Sequence, residues 1–317
     1  MTDPNVSQKA PRILCAGGAV QDIVMRVDEF PKPGGKVSAT KYVVTSGGQS
    51  GNAAVAIARL GGRVKYAGAL GDMEDEVATS ITANFAREGI DYASAVRVKG
   101  ASSSVSIVML DHTGEKMIAT RRDSGLSEVA PDNADALVAD VDAVLIDNRY
   151  ENFAKPVCAA ALKRGIPRVI DLDRVTRPDD PLLAGCTHIV ASAEALRGTA
   201  GEADIGAALK VLGKHLQGFL AATDGPDGVY WLDHGKVRHM PAFKVDVVDS
   251  LGAGDTFHGA FVFRLVECGD EVDAMRFGSA TAAIKCTRFG GLMGAPSRAE
   301  VDAFLKERAA PALEAVG

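Results

Sequence analysis

Residues 246–259 read DVVDSLGAGDTFHG, and this stretch decides the fold. The apolar run at its start passes through glycines into a pattern typical of a helix, with apolar side chains recurring every four residues from Phe257 and a stop at Gly269. We therefore predict a loop over residues 251–254 that opens a helix, with Asp255 in the first turn. Backbone N–H groups at such a start have no partner and point in one direction, so they form a site for an anion.

Asp255 lies beside these amides, where its charge competes for the same field. The placement suits phosphoryl transfer, because that reaction needs a base on the attacking hydroxyl and donors on the charge that develops. An ordinary glycine turn followed by a first-turn acid is the structural alternative. A dinucleotide-binding fingerprint does not fit, because the glycine after Gly252 and Gly254 is Gly259, too far along for G-x-G-x-x-G.

Residues 248–257, VDSLGAGDTF, carry a family resemblance. They resemble the C-terminal signature of the ribokinase-like (PfkB) sugar kinases, which usually reads D-T-x-G-A-G-D. Ser250 stands where that family often has Thr. The resemblance implies that Asp255 is the catalytic base. It also implies an anion hole formed by the amides of Gly252, Ala253 and Gly254.

A second glycine-rich segment, SGGQSGNAA at residues 46–54, precedes an apolar run to Leu60 that predicts a buried helix. Taken alone, it indicates a helix cap with close packing. It also resembles the N-terminal signature of the same family, G-G-x-x-x-N-x-A, and this implies that Gly47, Gly48 and Asn52 bind the sugar. Two signatures in the expected order are far less frequent by chance than one.

Asp22 follows the first predicted strand, residues 13–20. From its position alone it would be a solvated turn residue. In the ribokinase-like family an Asp after the first strand holds acceptor hydroxyls, and the resemblance implies this role for Asp22.

Short apolar strands alternate with helical patterns from residue 130 onward. The strands are 143–147, 168–171, 188–191 and 218–223. This alternation predicts an α/β fold whose parallel sheet carries helices on both faces. We expect a ribokinase-like three-layer core that spans residues 12–309, preceded by an N-terminal arm of residues 1–11.

A small β-sheet lid is expected over the site. Residues 37–44 predict one strand and residues 102–121 a hairpin, so the lid is drawn from about 22–44 and 102–121. A lid excludes water, which is an unwanted acceptor for a phosphoryl group. In the family such a lid often mediates dimers, so the resemblance implies a homodimer through this sheet.

Residues that follow the parallel strands are further candidates, because ligands bind beyond the carboxyl ends of such strands. Arg149 follows the first strand and suits an anionic group on the substrate. Alternatively, it pairs with Glu151 or Asp147 on the surface. After the third strand, Glu194 matches the acid of the family's N-x-x-E and is implied to hold Mg²⁺, although Ala191 stands where the family has Asn.

The loop TDGPDG at residues 223–228 resembles the family's nucleotide loop, T-x-G-x-x-G. The resemblance implies that ATP is bound by Thr223, Gly225 and Gly228, with a plain turn as the alternative. It further implies ATP and Mg²⁺ as cofactors. The region over residues 274–291 is implied to wall the adenine site and to help bind a monovalent cation.

Composition limits the partners. The net charge of −6 over 317 residues argues against general binding to nucleic acid or to anionic membranes. Five scattered cysteines without a C-x-x-C indicate reduced thiols rather than a disulfide framework or a zinc knuckle. There is no apolar run long enough to cross a bilayer, and no signal-peptide pattern, so we expect a cytoplasmic protein.

We predict an ATP-dependent kinase that phosphorylates a primary hydroxyl of a ketose-type sugar. Residues 241–249, 257–260 and 285–288 look most like the sulfofructose kinases and next like the ketohexokinases. That likeness would give Arg149 a terminal sulfonate or phosphate to hold, as in 6-deoxy-6-sulfofructose.

Other functions stay open. One is a fructokinase- or ribokinase-type kinase of a neutral sugar, and another is a sugar-binding regulator without catalysis. A nicotinamide oxidoreductase is disfavoured, because the glycines after the first strand are only Gly17 and Gly18.

Overall fold

The computed structural model describes residues 9–308 and 312–316. Most of the predicted N-terminal arm, residues 1–8, and the predicted domain end, Ala309, lie outside the described residues. The strands are β1 Arg12–Ala16, β2 Val20–Arg26, β3 Lys41–Gly47, β4 Arg63–Ala67, β5 Ala69–Leu70, β6 Val96–Arg97, β7 Ser104–Leu110, β8 Lys116–Arg121, β9 Ala143–Asp147, β10 Arg168–Leu172, β11 His188–Ser192, β12 Phe219–Thr223, β13 Val229–Asp233, β14 Lys236–Met240 and β15 Glu314–Val316. The helices are α1 Gln49–Arg59, α2 Glu76–Arg87, α3 Ala134–Val138, α4 Glu151–Lys163, α5 Pro181–Gly185, α6 Ala193–Ala200, α7 Ile205–Leu212, α8 Ala253–Cys268, α9 Glu271–Cys286 and α10 Arg298–Glu307.

The large sheet is mostly parallel. Its strand order is β15-β14-β13-β12-β11-β10-β9-β1-β4, and the strands from β12 to β4 all run in one direction. Each of the three strands beyond β12 runs antiparallel to the strand before it. Strands β9 and β10 are buried along their whole length, as continuous apolar runs predict for a sheet covered on both faces. The predicted α/β class is therefore confirmed.

Helices form a layer on each face of this sheet. One apolar cluster contains Ala53 of α1, Phe261 of α8 and Phe277 of α9. A second cluster, on the opposite face, contains residues of α4, α6 and α7, among them Phe153 and Leu196. The result is a three-layer core. Helices α1 and α8, which follow the two glycine-rich segments, lie on the same face of the large sheet.

The first strand ends earlier than predicted. Strand β1 stops at Ala16, and the chain re-forms a strand at Val20 in a different sheet. The break falls at Gly17, where a Cβ would overlap the carboxyl group of Asp147. The predicted strand over residues 37–44 is likewise displaced, because pairing with β2 begins only at Lys41.

The lid is a four-stranded sheet with the order β3-β2-β7-β8. Its inner face carries a small apolar cluster of Val24, Val108 and Leu110. That cluster packs against Leu251 and Phe289, which belong to the loops around the start of α8 and the end of α9. The lid therefore rests directly on the glycine loop that precedes Asp255.

Among the described residues, no helix combines the length and apolarity that a membrane span requires.

Candidate active site

The glycine loop opens helix α8 as predicted, although the helix already begins at Ala253, inside the loop predicted over residues 251–254. Gly252 is the N-cap in the left-handed conformation, with φ 72°, and Asp255 lies in the first turn. A Cβ at residue 252 would lie 3.2 Å from Nδ2 of Asn52, so glycine permits both the backbone conformation and the close approach of the second segment. The N–H of Ala253 donates to the carbonyl of Ser250 at 3.2 Å. Of the three amides predicted for the anion hole, this one has an acceptor within its own turn.

The two glycine-rich segments meet at one hydrogen bond. Asn52, in the first turn of α1, donates from Nδ2 to Oδ2 of Asp255 at 2.6 Å. Oδ1 of Asn52 is buried and has no partner among the described residues, so it can accept from a substrate hydroxyl. Burial raises the pKa of Asp255, while the hydrogen bond from Asn52 and the charge of His258 oppose the rise.

Asp22, on lid strand β2, lies within electrostatic reach of Asp255. Burial and then the charge of Asp255 raise the pKa of Asp22 to about 7, and a hydrogen bond with Ser106 opposes this. A Cβ at Gly47 would overlap the Asp22 carboxyl group. Gly48 has φ 81°, and a Cβ there would meet backbone at 2.7 Å. Glycine is therefore required at residue 47 for the Asp22 carboxyl group to lie against this segment. At residue 48 it is required for the backbone conformation and for the close approach of Gly18.

The lid is polar beside Asp22. Thr45, Ser106 and Thr120 stand in the same cross-strand row as Asp22. Oγ1 of Thr45 and Nε2 of Gln49 are buried without partners among the described residues. Buried polar atoms without partners cost free energy, and hydroxyls of a bound sugar would supply partners. Sequence reasoning missed Thr45 and Ser106; the period-two alternation along each strand is the signal that could have placed them on the face of Asp22.

His258 is a site residue that the sequence analysis did not single out. Its Nδ1 lies 2.8 Å from the carbonyl oxygen of Gly254 and 3.5 Å from Oδ2 of Asp171. Its Nε2 lies 3.1 Å from the carbonyl oxygen of Val190. Burial raises the pKa of Asp171 to about 7, against the opposing charge of His258. These contacts tie the first turn of α8 to strands β10 and β11; the available signal was a polar side chain inside a mainly apolar helix.

The side chain of Arg149 contacts Gln49 of the second glycine-rich segment and does not pair with Glu151. Its Nε donates to Oε1 of Gln49 at 2.6 Å, and its Nη2 pairs with Asp173. Only its backbone N–H reaches Asp147, at 3.1 Å from Oδ1. The guanidinium therefore lies next to the residues that follow Gly48, within reach of a substrate held there.

The predicted nucleotide loop follows β12. Gly225, with φ 52°, and Gly228, with φ 99°, both adopt backbone conformations that favour glycine. A Cβ at Gly228 would also overlap the backbone at the end of β14, whereas one at Gly225 would meet open space. Thr223 ends β12, with Oγ1 3.5 Å from the carbonyl oxygen of Ala191. Among the described residues no hydrogen bond joins this loop to Asp255.

Glu194 is exposed in the first turn of α6, just past the end of β11. Within residues 9–308 and 312–316, no group of three or more His, Cys, Asp and Glu side chains is arranged to hold a metal ion. Mg²⁺ commonly keeps several waters and takes one or two carboxylates together with substrate phosphates. A single exposed carboxylate fits that mode of binding and does not fit a cage made of protein ligands alone.

Comparison with known proteins places the chain among its relatives. The family model for "pfkB family carbohydrate kinase" matches residues 10–298. A ribokinase of Haemophilus influenzae is 31% identical over 299 residues, which are 92% of this chain and 97% of the relative. An ATP-dependent ribose-1-phosphate kinase of Halopiger xanaduensis is 27% identical over 305 residues, 94% of this chain and 99% of the relative. The crystal structure of a candidate ribokinase from Agrobacterium tumefaciens has a TM-score of 0.88 and 35% identity, covering 95% of this chain and 100% of that one.

Proposed function

This chain belongs to the pfkB family of carbohydrate kinases, and from that premise we propose that it transfers the γ-phosphate of ATP to a primary hydroxyl of a ketose-type sugar with an anionic terminal group, such as 6-deoxy-6-sulfofructose. The observation that carries the proposal is the 2.6 Å hydrogen bond between Asn52 and Asp255, beside the left-handed Gly252. It brings the segment predicted to bind the acceptor, the predicted base and a helix N-terminus close together, which supports the proposal. ATP and Mg²⁺ are the cofactors of this chemistry.

In the proposed mechanism, Asp255 accepts the proton of the acceptor hydroxyl as the hydroxyl oxygen forms a bond to the γ-phosphorus of ATP. The bond between that phosphorus and the bridging oxygen of ADP breaks, and ADP leaves. The Asn52 amide fixes one carboxylate oxygen by its hydrogen bond and leaves the other free for the hydroxyl. The amides at residues 252–254 are proposed to face the charge that develops on the transferring group. The amide of Ala253 would exchange its present acceptor, the Ser250 carbonyl, for that group. Mg²⁺, held by phosphate oxygens, waters and Glu194, would offset the negative charge of the phosphates.

The acceptor sugar is proposed to lie between α1 and the lid. Asp22, whose pKa lies at about 7, can accept or donate a hydrogen bond at neutral pH. Gly47 and Gly48 let the sugar approach the backbone, and the unpaired atoms of Thr45 and Gln49 supply further partners. The nucleotide would occupy the neighbouring stretch of the sheet edge, on Thr223, Gly225 and Gly228.

Positive charge near Arg149 supports an anionic substrate group. The pKa of Arg122 is lowered, first by burial and then by the charge of Arg149, with Arg174 adding to the effect. The guanidinium groups of Arg149 and Arg174 therefore lie within electrostatic reach of Arg122, and among the described residues Asp173 is the carboxylate that pairs with the Arg149 side chain. A sulfonate or phosphate would relieve this excess through charge-assisted hydrogen bonds.

A kinase of a neutral sugar, of the fructokinase or ribokinase type, is the second candidate. The contact of Arg149 with Asp173 favours it, because a guanidinium already paired has less reason to bind a substrate anion. A sugar-binding regulator without catalysis is the third. The close approach of Asp255 and Asn52 argues against a site that has lost its base.

An ADP-release assay on a panel of acceptors tests the proposal. Fructose, ribose, 6-deoxy-6-sulfofructose and ribose 1-phosphate are offered with MgATP. We expect the highest kcat/KM with the anionic ketose. Asp255→Asn, which keeps the shape of the side chain, should lower kcat on the order of a hundredfold or more. Near-normal turnover by this variant would remove Asp255 as the base, and no turnover of any acceptor by the folded wild type would favour the regulator.

Arg149→Ala separates the two kinase candidates on the same panel. Loss of a charge-assisted hydrogen bond should cost about tenfold or more in kcat/KM on 6-deoxy-6-sulfofructose, with little change on fructose. Arg177→Ala is the matched control, because Arg177 is a solvent-exposed arginine paired with Asp179. An equal loss on both sugars in Arg149→Ala would point to a structural role for this arginine.

We also propose that two copies associate through the outer face of the lid. One cross-strand row of that face is Val44, Ile23, Ile107 and Ala119, and the next is Tyr42, Met25, Met109 and Met117. Tyr42 is 73% exposed and Ile107 45% exposed. Contiguous apolar patches of this kind commonly mark interaction sites. A cytoplasmic location is proposed as well, on the basis of the ATP requirement and five free cysteines.

A further inference from the structure

Two charged side chains are fully buried behind the glycine loop. Asp249 and Lys285 are both 0% exposed. Nζ of Lys285 donates to the backbone carbonyl of Asp249 at 2.7 Å and lies 3.3 Å from Oδ1 of the same residue. Burying two charges is costly unless geometry and hydrogen bonds compensate, so a pair of this kind calls for a reason.

The carboxylate of Asp249 is saturated by other donors. Its Oδ1 accepts from the N–H of Leu251 at 2.8 Å. Its Oδ2 accepts from the N–H groups of Gly290 at 2.9 Å and Gly291 at 2.7 Å. Asp249 therefore joins the start of the glycine loop, residues 251–254, to the loop that follows α9. The ammonium group of Lys285 compensates the charge of the Asp249 carboxylate.

The ammonium lies where the resemblance implies a monovalent cation. A monovalent cation in this region would need carbonyl and carboxylate oxygens as ligands, and Asp249 offers both kinds. In this chain Lys285 occupies the last turn of α9 and already takes both the carbonyl and the carboxylate oxygen that Asp249 offers there. A helix C-terminus also favours a positive charge at this position. The residues present therefore do not fit an additional cation at Asp249.

We propose that the ε-ammonium of Lys285 is a covalently tethered substitute for a monovalent cation. This ammonium group holds the glycine loop in place and makes the enzyme independent of K⁺. The tether acts through Asp249. Its carbonyl and Oδ1 are fixed by Lys285, and the same Oδ1 orients the N–H of Leu251, the residue before Gly252. Lys285 is thus a positioning residue and touches neither substrate nor nucleotide.

Burial lowers the pKa of Lys285, and the charge of Asp249 opposes this. The lowered pKa reflects the loss of hydration of the ammonium group, which its contacts with Asp249 have to offset. Because the group donates to a carbonyl oxygen and also forms an ion pair with a carboxylate, the arrangement is that of the ammonium form.

The test measures Tm and kcat of the full-length enzyme in KCl, NH₄Cl or tetramethylammonium chloride at equal ionic strength. The wild type should show the same Tm in all three salts and a kcat that changes less than about twofold. Lys285→Ala should lower Tm by on the order of 10 °C, because it leaves a buried carboxylate uncompensated. K⁺ or NH₄⁺, but not tetramethylammonium, should recover part of both Tm and kcat in this variant.

Lys210→Ala, at an exposed lysine of α7, is the matched control and should respond to no cation. The proposal would be overturned by a wild-type enzyme whose Tm is higher in KCl than in tetramethylammonium chloride, or whose kcat is severalfold higher in KCl. So would a Lys285→Ala enzyme that matches the control. If Lys285→Ala does not fold, the three-salt comparison on the wild type decides alone.

The kcat readout rests on the proposed kinase function, whereas the Tm readout does not. If no acceptor is phosphorylated, the function proposed above fails while the cation dependence of Tm still tests the tether.

Discussion

At the scale of single residues, the cleft concentrates acids that would repel one another if all were ionised. The pKa values of Asp22 and Asp171 are raised to about 7, and that of Asp255 is raised as well, with burial as the largest cause in each case. Perturbed acids of this kind cluster at functional sites, because proton transfer needs groups that titrate near the working pH. In the proposed mechanism the ionised carboxylate of Asp255 is the base that accepts the proton, and Asp22 binds the acceptor sugar.

The raised pKa of Asp22 predicts how stability depends on pH. Between about pH 4 and pH 7 the folded protein holds a proton on Asp22 that the unfolded chain has released, so the free energy of unfolding falls as pH rises. The stability that protonated Asp22 contributes is complete below the unfolded pKa and is lost as pH rises through about 7. In Asp22→Asn this part of the decline should vanish, a change of at most about 1.4 kcal/mol per pH unit.

Urea unfolding of both proteins between pH 5 and pH 8 measures this difference. Asp28→Asn, at an exposed acid beyond the end of the same lid strand, is the control and should follow the wild type. If the wild-type and Asp22→Asn curves run parallel across this range, Asp22 does not carry a raised pKa.

At the scale of secondary-structure elements, the crossing of α1 and α8 assembles the site. Gly259 of α8 faces Ala53 of α1, and a Cβ at Gly259 would lie 2.7 Å from the carbonyl oxygen of Ala53. The two helices therefore approach as closely as backbones allow. This approach sets Asn52, one residue before Ala53, within hydrogen-bond distance of Asp255, one turn before Gly259.

Gly259→Ala should force these helices apart. Overpacking of this kind costs roughly 1–3 kcal/mol, which exceeds the 0.5–1 kcal/mol or so that alanine gains over glycine inside a helix. We expect a lower Tm together with a lower kcat, because the Asn52–Asp255 hydrogen bond lengthens. Calorimetry and the ADP-release assay measure the two effects.

Gly206→Ala in α7 is the control for Gly259→Ala. A Cβ at Gly206 comes no closer than 3.2 Å to the side chain of Asp204 and meets no backbone atom of another element. It should leave kcat unchanged and Tm unchanged or slightly higher. A Gly259→Ala enzyme as stable and active as this control would show that the close crossing is not needed.

At the scale of the whole molecule, the lid has two different faces. The inner face packs on Leu251 and Phe289 and carries Asp22, whereas the outer face presents the two apolar rows described above. A second copy that covered the outer face would hold the lid at a set distance from the core. Substrate binding and assembly would then depend on the same sheet.

Ile107→Lys should weaken the proposed dimer, because it places a charge at the centre of the apolar rows. Sedimentation at micromolar concentration should give a dimer for the wild type and a monomer for the variant. Leu162→Lys, at a 54% exposed leucine of α4 in the core domain, is the control and should remain a dimer. A monomeric wild type at tens of micromolar would refute the assembly.

The local sequence predicted where helices and strands form better than it predicted which of them pack or pair with one another. The start of α8 before Asp255 and its end at Gly269 were predicted from glycines, and both are confirmed. Gly252 and Gly269 both adopt the left-handed backbone conformation that favours glycine. The predicted first strand runs four residues past the observed end at Ala16, because the close approach of the Asp147 carboxyl group to Gly17 involves a residue far along the chain. The displaced strand β3 has the same cause, since its first residue is set by pairing with β2.

The sequence by itself determined the α/β class, the loop that opens α8 and the identity of the glycines around it, because these depend on apolar periodicity and on backbone conformations that a residue type permits or forbids. Only the tertiary structure decided that Asn52 meets Asp255, that Asp22 is buried near Asp255, and that the buried ammonium of Lys285 pairs with Asp249. The physical reason is that burial and charge pairing depend on which distant segments the packing brings together, and no local pattern encodes those distances.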